Sequence, residues 1–268
     1  MPKPDRQETS PKRQDAGLWA TLARTHAAGS VLPRHQHRTG QLVFAVSGVM
    51  LVETHQARWT IPPQRALWVP PRHPHTIHII SNTEMRTVYC QPDLIAQCMA
   101  FVRQDEVHAV AASTLIKELV LGLFDAQFDH ATRQLMACLL LQTLRQTPSL
   151  PTHLPMPASD GLRHAVALLL KTNRWQLPMH QLASVAAMSE RSFTRRFTAE
   201  VGLSFRVWRQ RARIIASLDL LASDRPIKTI AHTLQFESAA AYIAAFRALM
   251  GRTPNAFRQG NQGAGVAI

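Results

Sequence analysis

The feature that most restricts the fold of this chain is an internal repeat in roughly its last hundred residues. The pair Leu182-Ala183 recurs as Ile230-Ala231, and the later positions Phe193, Phe197, Gly202 and Trp208 recur as Tyr242, Phe246, Gly251 and Phe257. The offset between the copies changes from 48 to 49 residues, which indicates one inserted residue in the second copy. Because an arbitrary helical bundle has no reason to repeat all these positions together, one structural unit must occur twice.

Each copy has the pattern of a helix-turn-helix unit: a short helix, a tight turn and a second helix that ends at a glycine. Ser189 and Ser238 can cap the second helices, and Phe193 and Phe197 are four residues apart, so they share one inward face. The opposite face of such a helix is free to enter a DNA major groove, which is about 12 Å wide.

The distribution of charge agrees with a polyanionic partner. The chain of 268 residues carries a formal net charge of +13. From Ser159 onward there are 15 basic and only 6 acidic residues, a net charge of +9 against +4 for the preceding part. Arginine dominates this excess, and its planar guanidinium suits both phosphate oxygens and guanine edges. The charge favours nucleic acid, although a solvated helix surface is the alternative.

Residues 160–260 resemble the DNA-binding domain of the AraC family of bacterial transcription regulators. The resemblance lies in the repeat itself, in a joining helix over residues 204–223, and in the segments PIKTIAHTLQF and GRTPNAFR. It implies two helix-turn-helix units on promoter DNA, with base contacts from Arg191, Thr194 and Arg195. Contacts to the DNA backbone are expected from Arg196, Arg206, Arg209, Arg247 and Arg252. A solvated or salt-bridged role is the alternative for each single arginine.

The second unit departs from the family pattern on the face that would meet DNA. That face contains Ala239, Ala240, Ala241, Ile243 and Ala244, none of which offers a side-chain hydrogen bond. We therefore expect the second unit to anchor mainly on the DNA backbone. Gln235 stands where the family usually has a turn glycine, so a left-handed backbone there would be strained.

The rest of the chain indicates a second, β-rich domain. We expect a tail over residues 1–17 that is not a signal peptide, an all-β antiparallel barrel or sandwich over 18–91, and a helical packing or dimerisation segment over 92–147. Four prolines mark a linker over 148–158. The all-α DNA-binding domain then covers 159–260, followed by a flexible C-terminus over 261–268.

The segment GSVLPRHQHRTGQLVFAVSG matches the first cupin motif at every spacing from Gly29 to Gly48, with Gln41 in place of the usual glutamate. PPRHPH resembles part of the second motif, with Arg72 at a position where glycine is usual. The two motifs together imply a cupin-like all-β jelly-roll barrel over residues 18–91. The resemblance implies a ligand site of His35, His37, Gln41 and His75, in which the three histidines could bind a divalent transition metal. The alternative is a pocket for an organic ligand without metal.

These features predict a cytoplasmic transcription regulator that binds a small-molecule or metal effector and acts as a homodimer, with RNA polymerase as a further partner. A cupin-type oxygenase or isomerase with an accessory DNA-binding domain is the rival hypothesis, but Gln41 removes the carboxylate that an open iron site uses. Nonspecific compaction of nucleic acid is the third. No apolar run approaches the roughly 18 residues that a membrane span needs.

Overall fold

The computed structural model describes residues 17–99, 105–150, 153–223 and 225–262. This part of the chain forms two compact units, the first from residues 17–54 and 61–150 and the second from 55–60 and 153–262. Nearly all of the expected tail at 1–17, and most of the expected C-terminal segment at 261–268, lie outside the described residues. None of the described helices combines the length and apolarity that crossing a bilayer requires.

The strands form two antiparallel sheets, which confirms the all-β, cupin-like prediction for the N-terminal domain. The first sheet has the order β1-β8-β3-β6-β9. Its strands are β1 (Trp19–His26), β3 (Gly40–Ser47), β6 (Arg65–Val69), β8 (Thr83–Cys90) and β9 (His108–Ala111). In the second sheet the first unit contributes the order β4-β7-β2. These strands are β2 (Val31–His35), β4 (Met50–Glu53) and β7 (His75–Ile79).

Three helices pack on the first sheet through a shared apolar core. They are α1 (Pro92–Met99), α2 (Thr114–Gly122) and α3 (His130–Gln146). The side chain of Ser113 caps α2, and that of Asp129 caps α3 through the Thr132 amide at 2.7 Å. The strand β9 interrupts the segment predicted to be helical. Its short HAVA sequence pairs with β6, a tertiary interaction that outweighs the weak local preference.

The second unit is helical apart from a short strand pair. Its β10 (Leu154–Pro155) lies within the proline-rich segment and pairs with β5 (Ala57–Ile61). The Trp208 indole N–H also donates to the Pro155 carbonyl at 2.7 Å. Its helices are α4 (Asp160–Thr172), α5 (Met179–Val185), α6 (Glu190–Val201), α7 (Phe205–Ala222), α8 (Ile227–Thr233), α9 (Ala239–Met250) and α10 (Pro254–Gln262).

The internal repeat is confirmed down to individual backbone hydrogen bonds. In the first turn the Met188 amide donates to Ala183, and in the second the Phe236 amide donates to Ala231, each at 2.9 Å. The residues before these donors, Ala187 and Gln235, both have left-handed backbones, with φ of 54° and 59°. Comparison of the two turns identifies Glu237 as the inserted residue.

Candidate functional site

The helix α6 is the second helix of the first helix-turn-helix unit, and its inner face is aromatic. Ser189 caps it, since its Oγ accepts from the Ser192 amide at 3.3 Å. Phe193 and Phe197 are fully buried and contact Phe205 edge-on, with ring centroids 5.2 and 5.1 Å away. These contacts fix α6 on the core, so they define the backbone positions from which its outer side chains project.

The outer face of α6 presents the three residues that the sequence analysis expects to contact bases. Arg191, Thr194 and Arg195 are all exposed. The Thr194 hydroxyl donates to the Glu190 carbonyl at 2.9 Å. Its oxygen can still accept a hydrogen bond from a ligand, and its methyl group can still make an apolar contact. Neither Arg191 nor Arg195 makes a hydrogen bond or an ion pair with any residue that the structure describes. Both guanidinium groups are therefore available to a ligand.

The arginines expected at the DNA backbone have different surroundings. Arg196 forms an ion pair with Glu200, with Nε and Oε1 2.9 Å apart, while its side chain stays about half exposed. Arg209 donates to the Leu177 carbonyl at 3.1 Å. Arg252 stacks over Phe257 at 4.9 Å from the ring centroid. Arg206 and Arg247 are exposed and form no side-chain hydrogen bond or ion pair with the residues that the structure describes, so they are the freest of the set to meet a phosphate.

In the second unit, α9 occupies the place of α6 but carries a different surface. The exposed positions equivalent to Arg191 and Arg195 are Ala240 and Ala244. Ile243, the equivalent of Thr194, packs partly against the core, as does Ala239. The N-terminal part of the outer face of α9 is thus apolar, and the first basic residue along the helix is Arg247.

In the β-rich N-terminal unit, the structure brings His35, His37 and His75 together. One ligand nitrogen from each lies within 4.8 Å of the others. His35 and His75 are cross-strand partners on β2 and β7, and their ring centroids are 4.4 Å apart. His37 lies beyond the end of β2 rather than on the same strand, and a register irregularity after Leu32 accompanies this arrangement.

Hydrogen bonds orient these imidazoles, and burial sets the charge of two of them. The Nδ1 atoms of His35 and His75 lie 2.6 and 2.9 Å from the carbonyls of Pro33 and His73, which leaves Nε2 free to coordinate. Burial, with a smaller effect from neighbouring His35, lowers the pKa of His37 to about 4. Burial also lowers the pKa of His75 to about 4. Both rings are therefore neutral at pH 7, the form that binds metals.

Gln41 and Tyr89 complete the site. They are cross-strand partners on β3 and β8, and both are buried. Among the described residues, Gln41 Oε1 has no hydrogen-bond partner, nor do the Nε2 atoms of His37 and His75. The Tyr89 ring stands edge-on to His37 with centroids 5.1 Å apart. Burial raises the pKa of Tyr89 to about 12. Sequence analysis missed Tyr89, because only the β3–β8 register brings it to Gln41.

The backbone of the site shows why the cupin motif places glycine where it does. Gly29 and Gly48, the first and last residues of the first motif, have φ of 82° and 79°. Arg72, which replaces the usual glycine of the second motif, also has a left-handed backbone, with φ of 58°. Its amide donates to the His37 carbonyl at 2.6 Å, so the cost of this conformation is offset at the histidine cluster.

Comparisons with known proteins agree with both units. A family model described as an AraC-like ligand binding domain matches residues 20–157, and one described as a helix-turn-helix domain matches residues 182–260. The HTH-type transcriptional regulator NimR of Escherichia coli (strain K12) is 31% identical over 229 residues, which are 84% of this chain and 81% of that protein. The HTH-type transcriptional regulator RipA of Corynebacterium diphtheriae is 29% identical over 102 residues, which are 38% of this chain and 30% of that protein.

Among solved structures, ToxT from Vibrio cholerae is similar at 10% identity and a TM-score of 0.39, over 91% of this chain and 98% of that one. NimR and RipA are both named as transcriptional regulators. With one family model spanning the ligand-binding domain, another spanning the repeat, and NimR aligned over most of the length, this chain belongs to the AraC family of transcriptional regulators, with a ligand-binding domain followed by a DNA-binding helix-turn-helix domain.

Proposed function

We propose that the first helix-turn-helix unit supplies most of the base discrimination of this regulator and that the second unit serves mainly as an anchor. One contrast carries this proposal. On α6 the guanidinium groups of Arg191 and Arg195 are exposed and have no partner among the described residues, whereas the equivalent positions of α9 carry Ala240 and Ala244. Arginine can bind guanine with two hydrogen bonds, whereas alanine offers a thymine methyl only van der Waals contact.

The exposed cations Arg206 and Arg247 suit the DNA backbone, where they add affinity and little sequence preference. Partners within the protein hold three of the expected arginines, Arg196, Arg209 and Arg252. We propose that each contacts a DNA phosphate while it keeps its partner in the protein. The target is promoter DNA. Contact with RNA polymerase and a cytoplasmic location accompany this role.

The N-terminal domain is proposed to sense a divalent transition metal at His35, His37 and His75. Three neutral imidazoles suit Zn²⁺, Ni²⁺, Cu²⁺ or Fe²⁺, and the buried acceptors that lack partners in the described structure fit a cation. When bound, the metal would supply a fixed positive charge that ties β2 to β7. The Gln41 amide adds no negative charge, so we assign the metal to sensing rather than to oxygen chemistry.

Homodimerisation is proposed through the exposed leucines of the α2 and α3 helices. Leu135 and Leu139 are four residues apart on α3 and are 71% and 48% exposed, and Leu115 of α2 is 48% exposed. Leu121 of α2 is also 37% exposed, whereas Leu119 and Leu140 are buried in the core of the first unit. The exposed set is the apolar surface that a second copy would cover.

Binding-site selection with the purified full chain, followed by footprinting on the selected DNA, tests the DNA proposal. We expect strict base requirements in one half-site and weak requirements in the half-site next to it. Equally strict requirements in both half-sites would contradict the division of roles. A selection that enriches no sequence would instead identify a nonspecific nucleic-acid binder.

Metal analysis of protein purified without a histidine tag tests the sensor. We expect one equivalent of a transition metal per chain, and a change in affinity for the selected DNA when a chelator removes it. Protein that binds no stoichiometric metal, with DNA affinity insensitive to added metal, would favour an organic ligand in the same pocket.

A further inference from the structure

The helical C-terminal unit contains a cavity of about 570 Å³ between the two helix-turn-helix repeats. One wall is the joining helix α7, which contributes Arg206, Arg209, Gln210 and Arg213 at spacings of three and four, so that they share one face. The rest of the lining comes from Trp175 and Gln176 before α5, from the turn residues 235–237, and from Ala241 of α9. The cavity is about half open to solvent, and its lining is mainly polar.

The two inner arginines are held in place by contacts that leave their charge unneutralised. Arg213 donates to the Leu234 carbonyl at 2.8 Å, and its guanidinium lies 3.8 Å from the centroid of the Phe236 ring. Arg209 lies 5.4 Å from the centroid of Phe205. Aromatic faces and carbonyl oxygens orient a guanidinium without supplying a full negative charge. The arrangement is therefore preorganised for an anion.

Among the described residues that line the cavity, the acidic one is Glu237, the single residue inserted in the second turn. Glu237 is exposed, and it forms no ion pair with the three arginines in the part of the chain that the structure describes. Two shielded donors of the cavity wall, Trp175 Nε1 and Arg213 Nη2, lack an acceptor among the described residues. Buried donors without acceptors are costly, and an acceptor in the cavity would relieve that cost after a small side-chain adjustment.

We propose that this cavity is a binding site for a phosphate group, formed by Arg206, Arg209 and Arg213 and opposed by Glu237. Arginine is the side chain best matched to tetrahedral phosphate oxygens, because its fork donates two parallel hydrogen bonds. The phosphate comes either from the backbone of bound DNA or from a phosphorylated small molecule. In both cases the bound phosphate bridges α7 and the turn of the second helix-turn-helix repeat, and it restricts motion of one repeat relative to the other.

A ³¹P NMR titration of the full chain with inorganic phosphate at constant ionic strength tests the site without any DNA. We expect saturable binding that Arg206→Gln weakens about tenfold, because it loses a charge-assisted contact. Glu237→Gln should tighten binding about threefold by removing the opposing charge. Lys171→Gln is the matched control: Lys171 is exposed on α4 and outside the cavity, so the same loss of charge should leave phosphate binding unchanged.

The two sources of phosphate are separated by DNA binding. If the DNA backbone occupies the cavity, phosphate competes with DNA, and Arg206→Gln lowers affinity for all sequences and reduces the salt slope by about one. If a small molecule occupies it, phosphate and DNA bind together and the slope does not change. Phosphate binding that is absent, or equal in all four proteins, would overturn the proposal while leaving base discrimination by α6 untouched.

Discussion

Gln176 and Gln235 form a pair of hydrogen bonds that joins the two helix-turn-helix units. The Gln176 amide donates to Oε1 of Gln235 at 2.9 Å, and Gln176 Nε2 donates to the Gln235 carbonyl at 3.2 Å. Gln235 adopts a left-handed backbone at a position where a glycine was expected. A non-glycine residue in this left-handed conformation costs about 1 kcal/mol, and the two hydrogen bonds between the repeats offset that cost.

This pairing predicts different results for two substitutions at one position. Gln235→Ala keeps the backbone strain and loses the bond from the Gln176 amide, so the free energy of unfolding should fall by about 1–2 kcal/mol. Gln235→Gly loses the same bond but relieves the strain, so it should be about 1 kcal/mol more stable than the alanine variant. Urea unfolding followed by circular dichroism measures both. An alanine variant as stable as the parent would show that the bond from the Gln176 amide to the Gln235 side chain contributes nothing.

The base contact proposed for Arg195 predicts a local loss of specificity. Arg195→Ala should lose about 1–3 kcal/mol of discrimination at one base pair of the selected site. Arg196→Ala is the neighbouring control. Because Arg196 is paired with Glu200, its loss should change affinity for all sequences to a similar extent. Competition binding against single-base variants of the site measures these effects, and an unchanged base preference in Arg195→Ala would exclude the contact.

The neutral amide at Gln41 predicts a metal site that can be strengthened. Gln41→Glu restores the carboxylate of the cupin motif beside three imidazoles and should raise the affinity for a divalent metal about tenfold or more, since one negative charge is added near the cation. His75→Ala should remove stoichiometric binding. Calorimetric titration with Zn²⁺ measures both. If neither substitution changes Zn²⁺ affinity, the metal binds elsewhere.

The exposed leucines of α3 predict the oligomeric state of surface variants. Combined Leu135→Glu and Leu139→Glu substitution should convert a dimer to a monomer, because buried charges at an interface are costly. Both side chains are largely exposed, so the fold of the single chain should persist. Sedimentation velocity determines the mass, and circular dichroism checks the fold. A parent protein that sediments as a monomer at micromolar concentration would refute the interface.

Glu200 predicts an acid-sensitive component of stability. Its carboxylate accepts bonds from the Ala158 and Ser159 amides, the Ser159 hydroxyl and Arg196. Partial burial raises the pKa of Glu200, but these hydrogen bonds outweigh burial and hold the pKa below the usual value of a glutamate. The stabilisation is therefore complete above the unfolded pKa and lost as pH falls through the folded one.

Glu200→Gln should cost about 1 kcal/mol of unfolding free energy at pH 7. The difference between parent and variant should shrink as the pH is lowered below about 4. Urea unfolding of both proteins at pH 7 and at pH 3.5 provides the comparison. A difference that is the same at both pH values would show that the charge of Glu200 is not involved.

The candidate sites show which parts of the structure were accessible from local patterns. Gly202 and Gly251 end their helices with left-handed backbones as their spacing predicted, because a helix end is decided within a few residues. The fold class and family were likewise confirmed. The base-contacting and metal-ligating roles of particular residues stay predictions. Tyr89 and the strand β9 were missed, since each depends on pairing with residues distant in the sequence.

By itself the sequence determined that two copies of one helical unit follow a β-rich domain with a histidine motif, because helical spacing, caps and turn residues are local properties. Only the tertiary structure decided which charged groups are free. It brought the Ala158 and Ser159 amides to the Glu200 carboxylate, left Arg195 without a partner in the described part of the chain, and set three arginines of α7 along a cavity. The reason is physical: the strength of a charge depends on its neighbours in space, and those neighbours are established when the elements pack.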